Sequence, residues 1–134
     1  MPPEEVTKRH RVLIVDDEEA MRMLLAGMLA TELPADVQLA GTCEQALRLA
    51  ETHAYDAILL DLMMPGVGGF GVLYGVRRSV PNAKTPVIMV SVFSEKKTIE
   101  RCLAAGANAY LTKPVRSAEL GRIVREQLEA RRRG

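Results

Sequence analysis

The chain has 134 residues, of which 48% are hydrophobic and 26% charged, and its formal net charge at pH 7 is +1. This length suits one domain with its own core, and the near-neutral charge gives no overall reason to expect nucleic-acid or membrane binding. No apolar run approaches the roughly 20 residues of a spanning helix, and the first residues lack a signal-peptide pattern, so we expect a cytoplasmic protein. Cys43 and Cys102 are in no metal-like spacing and are predicted to be free thiols.

Apolar runs that predict strands alternate five times with amphipathic segments that predict helices. The predicted strands are residues 11–15, 37–40, 57–60, 87–90 and 109–112. The helical segments repeat apolar residues at spacings of three and four. Their inward residues are predicted to be Met21, Leu24, Leu25, Met28 and Leu29 in the first, Ala46, Leu47 and Ala50 in the second, Leu73 and Val76 in the third, Ile99, Cys102 and Leu103 in the fourth, and Leu120, Ile123, Val124 and Leu128 in the fifth.

This alternation predicts a doubly wound α/β domain over residues 11–130, with a five-stranded parallel sheet and helices on both faces. Residues 1–10, with two prolines and no periodicity, are predicted to form a flexible tail, and residues 131–134 a basic end. Because crossovers between parallel strands are right-handed, the carboxyl ends of all five strands share one edge of the sheet. Ligands of open α/β sheets bind at that edge.

Polar residues follow four of the five predicted strands at this edge. They are Asp16 and Asp17 after the first strand, Asp61 after the third, Ser91 after the fourth and Lys113 after the fifth. Neighbouring carboxylates repel one another by about 4 kcal/mol per close pair at an effective dielectric constant near 20, so the three acids predict a divalent cation of the magnesium type. Lys113 adds a positive charge and Ser91 a hydrogen-bond donor. With Asp61 as nucleophile, these groups supply what phosphoryl transfer requires.

The pattern resembles the receiver domain of bacterial two-component response regulators over almost the whole chain, from Val12 to about Leu128. The matching motifs are Asp16-Asp17, Asp61 to Pro65 with Gly69, Ser91, Gly106-Ala107, and Tyr110 to Pro114. The resemblance implies a flavodoxin-like sheet with strand order 2-1-3-4-5. It also implies a phosphoprotein of a two-component phosphorelay that catalyses its own modification rather than an enzyme that turns over a metabolite.

The resemblance also implies a role for each residue at the edge. Asp61 would be the phosphoacceptor, with Lys113 pairing with the phosphoryl group and Ser91 hydrogen-bonding it. The metal, Mg²⁺ or Mn²⁺, would be held by Asp61, by Asp17 directly, by Asp16 mainly through water, and by the backbone carbonyl of Met63. Ser91 would report phosphorylation to Tyr110, whose ring switches between outward and inward positions. The Lys113-Pro114 bond is expected to be cis.

The chain departs from the family's common pattern at Val92 and Phe93, near the expected path of an attacking water, and Met63 is considered together with them. Val92 stands where alanine is common, Phe93 where smaller or polar residues are frequent, and Met63 lies two residues after Asp61. These side chains predict a shielded acyl phosphate and slow autodephosphorylation.

The expected partners also follow from the resemblance. A histidine kinase or phosphotransfer protein would donate the phosphoryl group. The surface of the fourth helix, fifth strand and fifth helix would control an output domain or protein target, or form a homodimer on phosphorylation. Neither nucleic acid nor membrane is expected to bind this domain directly, and the sequence leaves open whether it is a stand-alone regulator or part of a longer protein.

The sequence is also compatible with two functions other than a phosphorylated receiver domain. One is a receiver-like interaction domain that is not phosphorylated in the cell. The other is a nucleotide or flavin module, because Gly66, Gly68 and Gly71 match the glycine spacing of a dinucleotide fingerprint. Pro65 separates these glycines from their strand, which disfavours the second alternative. Gly71 and Gly75 also leave open whether the third helix is loose or closely packed.

Overall fold

Five strands alternate with five helices over residues 9–133, the part of the chain that a computed structural model of the protein describes. Residues 1–8 of the predicted tail and Gly134 of the predicted basic end lie outside the described residues. The elements are β1 (His10–Val15), α1 (Glu19–Glu32), β2 (Ala35–Ala40), α2 (Cys43–Thr52), β3 (Ala57–Leu60), α3 (Gly68–Arg78), β4 (Val87–Ser91), α4 (Lys96–Ala104), β5 (Ala109–Thr112) and α5 (Ser117–Arg133). None of these helices is long and apolar enough to cross a membrane.

All neighbouring strands pair in parallel, in the order β2-β1-β3-β4-β5, which confirms the predicted fold. The side chains of alternate residues in β1 lie on opposite faces of the sheet. Leu13 and Val15 join the core under α2, α3 and α4, whereas Val12 and Ile14 join the core under α1 and α5. Because β3 and β4 are buried along their whole length, their sequences lack polar alternation.

For two residues the prediction of an inward-facing side chain is wrong. Leu24 of α1 is 50% exposed and Leu103 of α4 is 45% exposed. On α1, Leu25 and Leu29 are the buried residues, and Leu24 lies about 100° around the helix from Leu25. On α4, Cys102 alone is buried, because this helix covers the sheet next to its edge strand β5.

The glycines of α3 allow it to pack closely. A Cβ atom on Gly75 would overlap with the side chain of Leu47 on α2. A Cβ atom on Gly71 would lie 2.5 Å from Cβ of Val67. The third helix is therefore closely packed against α2 at Gly75, whereas the close contact of Gly71 is with the N-cap residue of its own helix.

The start of β3 is fixed by Asn82, a fully buried residue in the loop between α3 and β4. Its Nδ2 donates hydrogen bonds to the carbonyl oxygens of Ala50, at 2.6 Å, and His53, at 2.7 Å. Its Oδ1 accepts from the backbone N–H of Tyr55, at 2.8 Å, and from Oγ1 of Thr85, at 2.9 Å. One side chain thus joins α2, β3 and the α3–β4 loop.

Asn82→Ala is expected to lower the free energy of unfolding by roughly 3 kcal/mol, because it leaves several buried polar groups without their partner. Urea unfolding followed by circular dichroism measures the change. Lys84→Ala, at an exposed position in the same loop, is the control and should stay within about 0.5 kcal/mol of wild type. An Asn82→Ala protein as stable as this control would contradict the assigned role.

Candidate functional site

Two of the three acidic residues of the site continue the backbone hydrogen bonding of the sheet by one residue beyond their strands. The N–H of Asp61 donates to the carbonyl oxygen of Val15 at 2.9 Å, and the N–H of Asp16 donates to that of Ala40 at 3.1 Å. Since β1 lies between β2 and β3, these bonds place both acids at the same edge. Carboxylate oxygens of Asp16, Asp17 and Asp61 lie within 4.8 Å of one another.

The donor set of this cluster fits a hard divalent cation. Asp16 and Asp61 are buried, with exposed fractions of 1% and 6%, whereas Asp17 is exposed. Magnesium takes one or two carboxylates, keeps several waters and accepts phosphate oxygens, so it suits a cluster with two buried acids and one facing solvent.

Lys113 reaches into the cluster from the end of β5. Its Nζ lies 2.9 Å from Oδ2 of Asp16 and 3.7 Å from Oδ2 of Asp61, and its side chain is 9% exposed. Its backbone N–H donates to the carbonyl oxygen of Ser91 at 2.7 Å, and the bond between Lys113 and Pro114 is cis. Burial alone would lower the pKa of Lys113, but the hydrogen bond to Asp16 and the charge of Asp61 outweigh it and raise the pKa.

Asp61 has a strongly perturbed acidity. Burial, the largest cause, raises its pKa from an ordinary 3.8 to about 6. The charge of Lys113 and a hydrogen bond from the N–H of Met63, at 3.2 Å, oppose the rise. The charges of Asp16 and Asp17 add to it. In the metal-free receiver this carboxyl group therefore loses its proton near pH 6.

Ser91 and Tyr110 are joined through Phe93. Ser91, at the end of β4, is fully buried, and its Oγ accepts a hydrogen bond from the N–H of Phe93 at 3.4 Å. The hydroxyl group of Tyr110 donates to the carbonyl oxygen of Phe93 at 2.6 Å. Tyr110 is half-buried against the core under α2, α3 and α4. The residues of the expected switch thus form one hydrogen-bonded chain.

The three residues expected to shield the acyl phosphate differ in exposure. Met63 is 57% exposed and Val92 64% exposed, whereas Phe93 is half-buried. Met63 and Phe93 both line a surface cavity of about 300 Å³, together with Leu62 and Phe70. Two of the three positions therefore share one cavity next to the acidic cluster.

The sequence interpretation missed Arg22, whose Nη1 donates to the carbonyl oxygen of Asp16 at 2.7 Å. In the sequence it is one polar residue of an amphipathic helix, and such a residue is ordinarily solvated. Gly69 belongs to the motif that follows Asp61, and the structure explains why a glycine stands there. A Cβ atom there would lie 2.6 Å from the carbonyl oxygen of Asp61 and 2.6 Å from Cα of Leu62.

Comparison with known proteins agrees with the fold and with the acidic edge. The model of the response regulator receiver domain matches residues 12–125. The chain belongs to the response regulator receiver family. This receiver domain is 31% identical to the receiver domain of the sensor histidine kinase PA1611 from Pseudomonas aeruginosa PAO1, with a TM-score of 0.83 over 91% of this chain and 99% of the other. That structure has a magnesium ion coordinated in its active site cleft.

Curated relatives of this receiver are longer than the matched region. The probable transcriptional regulator ycf27 of Cyanidium caldarium is 36% identical over 84% of this chain and 44% of its own length. The transcriptional regulatory protein PdtaR of Mycobacterium tuberculosis is 36% identical over 82% of this chain and 52% of its own length. The chain thus spans about half the length of these relatives.

The raised pKa of Asp61 predicts a pH-dependent stability of the metal-free receiver. Between about pH 4 and pH 6 the folded state holds a proton on Asp61 that the unfolded state has lost, so stability falls as the pH rises through this window. The rise of the Asp61 pKa from 3.8 to about 6 corresponds to roughly 2 to 3 kcal/mol. Asp61→Asn should therefore be more stable than wild type at pH 7.5, by up to that amount.

Chelator-treated proteins unfolded in urea at pH 4, 5, 6 and 7.5 provide this test. Asp36→Asn, which changes an exposed acid on β2, is the matched control and should follow the wild-type pH profile. An Asp61→Asn protein less stable than wild type at pH 7.5 would contradict the prediction.

Proposed function

We propose that this receiver accepts a phosphoryl group on Asp61 from the phosphohistidine of a histidine kinase or phosphotransfer protein, in a reaction that requires Mg²⁺ or Mn²⁺. The supporting observation is the cluster of Asp16, Asp17 and Asp61 around the ammonium group of Lys113 at one sheet edge. Three acids held together beside the Lys113 ammonium group suit the binding of a metal and the transfer of a charged phosphoryl group.

In the proposed reaction an ionised oxygen of Asp61 attacks phosphorus while the bond from phosphorus to the histidine nitrogen breaks. A pKa of about 6 leaves Asp61 largely ionised at neutral pH, as a nucleophile must be. Lys113 lies where it can exchange part of its contact with Asp61 for a phosphoryl oxygen. The Ser91 hydroxyl, at the end of the next strand, would donate to another phosphoryl oxygen.

The metal would be held by Asp17 directly, by Asp16 mainly through water, and by Asp61 and the Met63 carbonyl. A bound metal would neutralise negative charge on the phosphoryl oxygens during transfer of the group to Asp61. The buried Asp16 is already held by Lys113, which suits an outer role, whereas the exposed Asp17 faces solvent and suits direct coordination.

Phosphorylation would then shift the population of the surface formed by α4, β5 and α5. The hydrogen-bonded chain from Ser91 through Phe93 to Tyr110 supports this route, because it leads from the strand end at the site to a half-buried ring on β5. The controlled partner would be an output domain, a protein target or a second copy of the receiver. Output domains are the natural first candidates, since relatives about twice as long are transcriptional regulators.

Incubation with acetyl phosphate and Mg²⁺ is expected to add one phosphoryl group to the wild-type chain and none to Asp61→Asn, which lacks the nucleophile. Intact-protein mass spectrometry measures the addition, and omission of Mg²⁺ should slow it at least roughly 100-fold. Asp36→Asn, an exposed acid remote from the cluster, should be modified like wild type.

Two results of this experiment would contradict the proposal. Modification of Asp61→Asn at the wild-type rate would exclude Asp61 as the acceptor. A wild-type chain that takes up no phosphoryl group and shows no beryllofluoride-induced shifts in its NMR spectrum would favour the alternative, an interaction domain that is not phosphorylated.

Met63 and Phe93 are expected to prolong the life of the acyl phosphate, because both apolar side chains line a cavity that includes Leu62, the residue after Asp61, and there they would hinder the approach of water. Met63→Asn and Phe93→Ala should therefore shorten the phosphoryl half-life, each by roughly threefold or more. Decay of the phosphorylated species after removal of acetyl phosphate measures this.

The third residue expected to shield the acyl phosphate is Val92. Val92→Ala should shorten the half-life least of the three variants, because Val92 is 64% exposed and is not among the residues that line this cavity. Unchanged half-lives in both Met63→Asn and Phe93→Ala would refute the shielding hypothesis. Thermal unfolding of each variant shows whether a changed half-life reflects the site rather than loss of the fold.

A further inference from the structure

Arg22 is the one side chain of α1 that bonds the backbone of the acidic cluster within the described residues. Its Nη1 donates to the carbonyl oxygen of Asp16 at 2.7 Å, and its own N–H donates to the carbonyl oxygen of Glu18 at 3.0 Å. The bond from the guanidinium group is charge-assisted and partly buried, which sets it apart from the solvated arginines of the surface.

The contact completes the fixation of Asp16. The N–H of Asp16 is held by Ala40, its Oδ1 accepts from the N–H of Glu18 at 2.9 Å, and its Oδ2 accepts from Lys113. The remaining polar group is the carbonyl oxygen that Arg22 binds. This carbonyl group belongs to the planar peptide group between Asp16 and Asp17. Its direction therefore helps to set the position of the Asp17 backbone, from which the exposed carboxylate side chain extends.

Gly41, directly after β2, provides the space for this contact. A Cβ atom at Gly41 would lie 2.8 Å from Nη1 of Arg22, the same nitrogen that binds Asp16, and 3.2 Å from its Cζ. The N–H of Gly41 donates to Oε1 of Gln45 at 2.9 Å, so the backbone there is itself tied to α2. A side chain at this position would therefore displace the guanidinium group rather than the strand.

We propose that Arg22 is a positioning residue for the metal-binding acids, and that Gly41 lacks a side chain so that the Arg22 guanidinium group can reach the Asp16 carbonyl oxygen. The inference rests on the proposed Mg²⁺-dependent phosphorylation, because it assigns Arg22 to the preorganisation of Asp16 and Asp17 for the metal. Groups that orient metal ligands typically contribute 10- to 100-fold in affinity or activity. Arg22 acts through the main chain, so its contribution is smaller.

Calorimetric titration with Mg²⁺ alone tests the proposal on the full chain. Arg22→Ala and Gly41→Ala are each expected to raise the Kd for Mg²⁺ by roughly 3- to 10-fold, below the usual range for direct contacts to a metal ligand. Arg22→Lys should recover part of the loss, because an ammonium group offers a donor without the planar fork of the guanidinium group. The double variant Arg22→Ala/Gly41→Ala should be no weaker than Arg22→Ala, since both changes remove one contact.

Two controls match the changes. Gly27→Ala adds the same methyl group on α1, where no atom lies within 4 Å, and Arg48→Ala removes an exposed arginine from α2. Both should keep the wild-type Kd. Thermal unfolding without Mg²⁺ separates a specific effect on affinity from a general loss of structure, and Gly41→Ala retains the test if Arg22→Ala folds poorly.

A Kd within twofold of wild type in both folded single variants would overturn the proposal. Additive losses in the double variant would overturn the part assigned to Gly41. Phosphorylation by acetyl phosphate is followed in parallel, so that the two hypotheses can fail separately. A wild-type chain that binds Mg²⁺ but takes up no phosphoryl group contradicts the proposed function, while the Mg²⁺ affinities still decide the role of Arg22.

Discussion

The site depends on the balance between three crowded carboxylates and one ammonium group. Each close pair of like charges costs about 4 kcal/mol at an effective dielectric constant near 20, and Lys113 offsets this cost by contacting both buried acids. When all four groups are ionised their charges sum to −2 (three negative, one positive). One divalent cation would neutralise that remainder, and in the absence of metal protonation of Asp61 relieves part of it once the pH falls to its pKa of about 6.

The fold holds this unfavourable arrangement because every member is attached to a strand end. Asp16 and Asp61 continue the ladders of β1 and β3, and Lys113 is bonded through its N–H to Ser91. At the opposite end of β3, Asn82 ties the strand to α2 and to the α3–β4 loop. Hydrogen bonds thus hold the segment before the central strand and the residue after it, and these bonds oppose a backbone shift that would relieve the repulsion at the acidic edge.

Much of the fold and the composition of the site could be predicted from the sequence, because both follow from local rules. Apolar runs defined β3 and β5 to the residue, and parallel topology brought distant polar residues to one edge. Contacts that depend on a specific distant partner could not be predicted. Periodicity does not show which side of the apolar face of α1 contacts the sheet, so the prediction for Leu24 was wrong. Nothing in the sequence around Arg22 or Asn82 indicates which carbonyl groups their side chains bind.

The link from the site to its proposed output surface is short because one residue serves both ends. The N–H of Phe93 donates to Ser91 and its carbonyl oxygen accepts from Tyr110, so two hydrogen bonds connect the end of β4 to a ring on β5. The bond to Ser91, at 3.4 Å, is the weaker of the two, and the Ser91 hydroxyl group that accepts it still has its own proton to donate to a phosphoryl oxygen. A shift of the Ser91 hydroxyl group toward a phosphoryl oxygen would change this weak bond first, and Phe93 would pass the change on to the ring of Tyr110.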